Sequence, residues 1–281
     1  LFGSLFVGFL IVLVNGFLTV AVQKFRCNRK VHLSAYIAAL LMIFNFAFGL
    51  IRLSVERDVP SDKTITAACI QGNIASGDKW ADDSLETSLA IYSELTEKAV
   101  SETGAKLVVW PETVITTSLN LNTTVRSEIS ELAVRNSAYI AVGAFYTERD
   151  ADHNENTYNA IYLFHPDGTV NNSVYCKRHL VPFGEYLPMP GLIKTVLPFL
   201  ADMNMFDDDL KAGTDSAIFD TELGSIGALV CFDSIYETLT LSSVRDGAEL
   251  MILSTNDSWY LDSAAVYQHN GHAVLRAVES G

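Results

Sequence analysis

The spacing of apolar and polar positions divides the chain into three regions. Residues 1–22, LFGSLFVGFLIVLVNGFLTVAV, hold no charged side chain, and Leu33 to Ile51, LSAYIAALLMIFNFAFGLI, repeats the pattern. About 20 helical residues cross the roughly 30 Å hydrocarbon core of a bilayer, so both runs predict transmembrane helices. Beyond a charged linker, RLSVERDVPSDKT, the apolar runs become short and rich in β-branched and aromatic residues. These predict strands at 65–73, 106–112, 138–148, 158–166, 225–233 and 249–257. Helical periodicity fills roughly 81–102, 123–136, 234–246 and 264–279, and HPDGTV at 165–170 reads as a hairpin-like turn. Strands interleaved with helices predict a layered α/β architecture.

The first run lacks the basic start and small-residue cleavage site of a signal peptide, and a second span follows at once, which favours a two-helix membrane region. Asn15 and Asn45 interrupt these spans and are read as packing residues. Between the spans, QKFRCNRKVH carries Lys24, Arg26, Arg29 and Lys30 and no acid. The positive-inside rule places that loop in the cytoplasm and everything after Ile51 outside. The expected organisation is a membrane region over 1–53 and one domain over 58–281. The chain starts with Leu and stops within a helical pattern, LRAVESG, so it reads as a piece of something longer with the domain cut short at its C-terminal end.

Charge narrows the function. Residues 1–53 hold five of the 19 basic residues and none of the 33 acidic ones; the remainder sets 14 basic against 33 acidic residues, a net charge of −19. Such a surface argues against nucleic acid as a partner. Cys27, Cys69, Cys176 and Cys231 form no C-x-x-C pair, so a zinc site has no support, and no disulfide is demanded although an outward domain could form one. His269 and His272 lie three apart on a predicted helix near Asp262, but no third ligand shares their spacing.

Three segments end on reactive side chains: VVWPET on Glu112, YCKRH on Lys177, and LVCFD on Cys231. Strand ends on one edge of an α/β sheet are where side chains converge without disturbing the core. A cysteine nucleophile needs a base for its proton and a cation for the thiolate and later oxyanion, and Glu112 and Lys177 are of those types. Singly, each has a plainer reading: a small core residue, a solvated strand-end acid, a surface charge.

Their surroundings change that weighing. The order Glu, Lys, Cys in WPET, KRHLVPFGEYLP and VCFDSIYE resembles the carbon–nitrogen hydrolase (nitrilase) superfamily. KRHLVPFGEYLP and STNDSWYLDSAAVYQHNGHAVLRAVE resemble its membrane branch, the apolipoprotein N-acyltransferases, over about residues 66–280. The resemblance implies a nitrilase-like α-β-β-α sandwich preceded by transmembrane helices. It implies Glu112 as general base, Lys177 as oxyanion stabiliser, Cys231 as the nucleophile that carries an acyl thioester, and Glu185 as an assisting glutamate. Trp110, Phe232 and Asp233 would line the site. It further implies a phospholipid acyl donor, a diacylglyceryl-prolipoprotein acceptor, no metal or organic cofactor, and a place in the bacterial cytoplasmic membrane with the domain on its outer face. A monomer suffices, since all these residues lie in one chain.

Two departures stand out. The branch usually reads Cys-Tyr-Glu at the nucleophile, whereas this chain has Cys231-Phe232-Asp233, and SWYLDSAAVYQH replaces a common Phe-Gly and a Pro, which predicts a changed loop. The run YLPMPGLIKTVLPFLADMNMF, residues 186–206, is apolar and broken by proline. It reads either as an arm dipping into the membrane interface or over the acyl chain, or as packing beneath the domain. The alternative activity is that of a membrane-tethered amidase with water as acceptor.

Overall fold

The computed structural model describes residues 3–55, 64–75, 77–81, 84–196 and 209–280, with the side chains of 194 and 196 outside that description. The chain forms two compact units, Leu1–Thr64 and Ile65–Gly281.

The first unit is two helices, α1 (Gly3–Asn28) and α2 (Leu33–Ser54), both long and apolar enough to cross a membrane. Helix α1 extends six residues past the apolar run and carries Lys24 and Arg26 on its last turns, because nothing in QKFRCN breaks a helix. His32 caps α2, its Nδ1 accepting from the Ser34 amide at 3.3 Å. Phe9, Leu40, Phe44 and Phe46 stand exposed along the two helices, as a lipid-facing surface requires. Asn15 turns its amide back to the Ile11 carbonyl in its own helix, 2.9 Å away.

The second unit builds two sheets. The larger contains β1 (Ala67–Cys69), β2 (Leu107–Val109), β3 (Ile115–Ser118), β4 (Tyr139–Arg149), β5 (Glu155–Phe164) and β6 (Tyr175–Cys176), in the order β1-β2-β4-β5-β6 with β3 also paired to β4. The smaller sets β7 (Phe219–Thr221) antiparallel to β8 (Gly224–Val230), and β8 parallel to β9 (Leu250–Ser254). Period-two alternation then builds the layers. Val108, Ile140, Val142, Tyr162 and Phe164 face one way, against Leu89 and Tyr92 of α3 (Ser84–Thr103) and Ile129 and Leu132 of α4 (Thr123–Asn136). Leu107, Val109, Ala141, Ile161 and Leu163 face the other way, onto Phe219, Ile226, Ala228 and Val230 of the smaller sheet. Helix α6 (Glu237–Arg245) packs Leu239 beneath that sheet, and α7 (Ala265–Ser280) lies alongside it. The result is the α-β-β-α sandwich, with a dry core between two sheets.

Strands β4 and β5 form one long antiparallel ladder from Ile140↔Phe164 to Arg149↔Glu155. The HPDGTV segment is a turn: Gly168 has φ +86°, Asp167 accepts from the Thr169 amide at 2.9 Å, and Phe164 bridges Val170. Several elements depart from the sequence expectation. Strands β3, β6 and β7 are only two to four residues long and carry too little periodicity to announce themselves. The segment 225–233 leaves the sheet at Val230, and Cys231–Ile235 winds into a 3₁₀ turn. Of the apolar run 186–206, Pro190–Val196 is a short helix, α5, and 197–208 lie outside the described residues.

Candidate active site

The carboxyl ends of three strands, one from the larger sheet and two from the smaller, meet in one place. Strand β2 ends at Val109, and Trp110 keeps the ladder one residue longer by donating to the Ala141 carbonyl at 2.9 Å. Pro111 then stops the pairing, since it lacks an N–H. The Pro111–Thr113 loop lies flat on β4 at Gly143: a Cβ there would overlap the Pro111 carbonyl oxygen and come within 2.8 Å of the Glu112 Cα. Strands β8 and β9 end side by side at Val230 and Ser254. Ser254 Oγ donates to the Trp110 carbonyl at 2.7 Å, which ties the two sheets together beside Glu112.

Glu112 is buried and fully engaged. Its Oε1 accepts from Asn159 Nδ2 at 2.7 Å and from Lys177 Nζ at 3.3 Å, and its Oε2 accepts from the Asn256 amide at 3.1 Å. Lys177, 1% exposed, follows β6 and donates its own amide to Asn159 at 2.8 Å. Its ammonium also meets Glu185, 2.9 Å from Oε1 and 2.8 Å from Oε2. Glu185 is brought back by a tight turn in which Phe183 has φ +63° and the Glu185 amide donates to the Val181 carbonyl at 2.8 Å. Asn159 Nδ2 reaches both carboxylates, at 2.7 and 3.0 Å, so one lysine and one amide hold two buried acids. Among the described residues, Gly213 closes this box from outside, its amide donating to the Lys177 carbonyl at 2.8 Å. A side chain at 213 would run into the Cys176 backbone.

Cys231 opens the 3₁₀ turn with φ +46°, a left-handed conformation costly for a side chain with a Cβ. Burial pushes its thiol well above the ordinary range; the Glu112 carboxylate pushes the same way, while Lys177 and a Thr255 hydrogen bond oppose it. Burial would also raise Glu112, but the Lys177 and Lys79 ammonium groups outweigh it and hold the acid low. Burial would lower Lys177, and Glu112 and Glu185 more than reverse that. The resting arrangement is therefore a protonated thiol next to an ionised carboxylate and a permanent ammonium.

Next to Glu112 opens a cavity of about 870 Å³ lined by Lys79, Tyr92, Trp110, Glu112, Thr255 and Asn256. Trp110 borders it with its indole N–H tied to Thr96 Oγ1 at 2.9 Å. The other two residues expected to line the site sit on the 3₁₀ turn directly after Cys231. Phe232 meets the Tyr236 ring edge-on, with centroids 5.7 Å apart. Asp233 is fully buried and accepts from Tyr175 OH at 2.8 Å and from the amides of His179 and Val230 at 2.8 and 3.1 Å. It thus fastens the Cys231 turn to the strand that precedes Lys177. Arg178 braces α6 through Ser242 Oγ at 3.0 Å and the Leu239 carbonyl at 3.1 Å, and the His179 ring lies 3.8 Å from that of Tyr236.

Residues 66–281 match the carbon–nitrogen hydrolase family model. The chain belongs to that family. Carbon–nitrogen hydrolases of known structure share the sandwich: one from Helicobacter pylori G27 superposes with a TM-score of 0.53 at 18% identity, covering 75% of this chain and 68% of its own, and Saccharomyces cerevisiae Nit3, of nitrilase branch 10, with 0.51 at 23%, covering 70% and 67%. By sequence, the chain is similar to proteins named apolipoprotein N-acyltransferase. That of Geobacter metallireducens is 34% identical over 97% of this chain and 51% of the relative, that of Gloeobacter violaceus 32% over 88% and 45%, and that of Methylococcus capsulatus 28% over 100% and 52%. The chain spans about half the length of these relatives.

Several residues of this carbon–nitrogen hydrolase site carry no signal in the sequence. Lys79 is 5% exposed and donates to the Glu112 carbonyl at 2.9 Å and to Thr113 Oγ1; burial lowers its pKa to about 8, against the attraction of Glu112 and then Cys231. Asn159 lies mid-strand, and Asn256 contributes its backbone. A buried lysine is foreseeable only from the partners it meets, and those are 33 and 34 residues away.

Proposed function

We propose that this carbon–nitrogen hydrolase unit serves as the acyl-transfer domain of an apolipoprotein N-acyltransferase, with Glu112, Lys177 and Cys231 as its reacting groups. The observation that carries the reading is the buried Glu112–Lys177–Glu185 box beside a buried thiol on a left-handed turn. The names of the relatives, matched along both apolar helices as well as the domain, supply the substrate class.

Glu112 takes the Cys231 proton as sulfur attacks the carbonyl carbon of a phospholipid ester. The ester π electrons move to oxygen, where the Lys177 ammonium meets the new negative charge. Collapse expels the alkoxide of the lyso-lipid, Glu112 returns its proton to it, and a thioester remains. A lipoprotein N-terminal amine then attacks the thioester, Glu112 accepts a proton from nitrogen, and the cysteine thiolate leaves and is reprotonated. Because the resting thiol is pushed up and Glu112 held down, proton transfer is uphill until sulfur begins to bond to carbon. The site therefore favours the transition state over a free thiolate. Glu185 keeps Lys177 charged and in place.

In this reading α1 and α2 lie in the bacterial cytoplasmic membrane, the Lys24–Lys30 loop faces the cytoplasm and the domain works on the outer face, as a monomer. Incubating the full-length protein with phospholipid and weighing it intact tests the chemistry. The expected result is a gain of one acyl chain that hydroxylamine removes and that Cys231→Ala abolishes; an adduct that survives in Cys231→Ala refutes the assignment.

A further inference from the structure

His269 lies on α7, 38 residues beyond the proposed nucleophile, yet it is 6% exposed and touches it. Its Nδ1 is 2.7 Å from Asp257 Oδ1, and its Nε2 is 3.1 Å from the Cys231 carbonyl oxygen and 3.2 Å from Ser234 Oγ. A carbonyl oxygen can only accept, and so can an ionised carboxylate. Neutral imidazole offers one N–H. Both contacts are satisfied together only when both ring nitrogens carry hydrogen. Cys231, for its part, needs an anchor, because its φ of +46° is not one that its own side chain prefers.

We infer that His269 is a positioning residue acting as an imidazolium, which ties the Cys231 carbonyl to Asp257 and so holds the left-handed turn that presents the thiol. The inference rests on the reading of Cys231 as nucleophile. Groups from several elements face the ring, and the carboxylates among them favour its charge. Asp257 and Tyr260 come from the 3₁₀ turn Asp257–Tyr260, Cys231 and Ser234 from the nucleophile turn, and the Glu112 charge acts from the β2 loop. On its own helix, His272 interacts with it as a like charge, and Arg276 in turn with His272. The Asp257 hydrogen bond raises the His269 pKa first and foremost, burial opposes, and the Asp257 charge and the Cys231 carbonyl add to the rise.

The sign follows. A raised pKa carries the closed clamp to higher pH than an ordinary histidine would allow and releases it as pH climbs through that value. The rate of thioester formation by the full-length protein in detergent with phospholipid should fall on the alkaline side. Asp257→Asn, which removes the carboxylate, should move that fall to lower pH by about one unit. His269→Ala should slow thioester formation about 10- to 100-fold at pH 7, leave the phospholipid KM within about twofold, and abolish the alkaline fall. An alkaline fall that Asp257→Asn does not move, or a His269→Ala protein with wild-type rate and profile, overturns the inference. If His269→Ala does not accumulate folded, Asp257→Asn decides alone. A Cys231→Ala protein that still transfers acyl chains removes the nucleophile reading itself; an inactive Cys231→Ala with an unmoved alkaline fall in Asp257→Asn removes only the clamp.

Discussion

Lys79 carries a charge into a place with little water to solvate it, and what it does there is felt at Glu112. Its Nζ reaches the Glu112 carbonyl at 2.9 Å and the hydroxyl of Thr113, a residue with φ +43°. Thr113, beside Glu112, is thus left-handed like Cys231, and its hydroxyl is held by Lys79 as the Cys231 carbonyl is met by His269. The Lys79 charge is also one of the two that hold the Glu112 carboxyl low. Lys79→Met should therefore raise the Glu112 pKa and shift the acid limb of kcat/KM for acyl transfer toward higher pH by about half a unit to one unit. A pH–rate profile with an unmoved acid limb would rule out that coupling.

Among the elements, the loop after β2 depends on a residue in a different strand. Gly143 lets Pro111, Glu112 and Thr113 lie against β4, and any side chain at 143 must push them away. Gly143→Ala is expected to cost about 2–4 kcal/mol, at the upper end of single substitutions, because a backbone cannot yield as a flexible side chain can. Thermal unfolding of the full-length protein in detergent measures it, and a melting temperature within about 1 °C of wild type refutes the claim. The same contact explains what was legible in the sequence. Long strands and helices such as 138–148, 123–136 and 264–279 repeat their apolar positions often enough to be recognised, and observed β4, α4 and α7 agree within a few residues. Glu112, Lys177, Glu185 and Cys231 stood in motifs that resemble the family. Lys79, Asn159, Gly143 and His269 act through partners distant in sequence, and no local period records such a meeting. The turn at Cys231 was hidden for another reason: its apolar run continues the strand pattern while the backbone reverses hand.

Over the whole molecule, the proposed function divides between two units: a pair of apolar helices and a domain rich in acidic residues. Cys27 and Cys69 are both exposed free thiols, one on α1 near the basic loop and one at the end of β1. If the loop is cytoplasmic and the domain outside, a membrane-impermeant maleimide should label Cys69 in intact spheroplasts and Cys27 only after permeabilisation. The reverse pattern would invert the orientation.

The proposed reacting groups are also divided between the plates of the sandwich. Glu112 and Lys177 follow strands of the larger sheet and Cys231 follows a strand of the smaller, with the Ser254–Trp110 hydrogen bond as a rivet between them. A slide of one plate across the other would break few bonds within either sheet and yet carry the thiol out of register with its base. Since a misplacement of about 1 Å can cost about 100-fold in rate, alignment is the quantity under tension here. Side chains at the dry interface, such as Leu163 and Ile226, are then alignment pins. In the proposed reaction their fit would set reactivity from the interior of the sandwich.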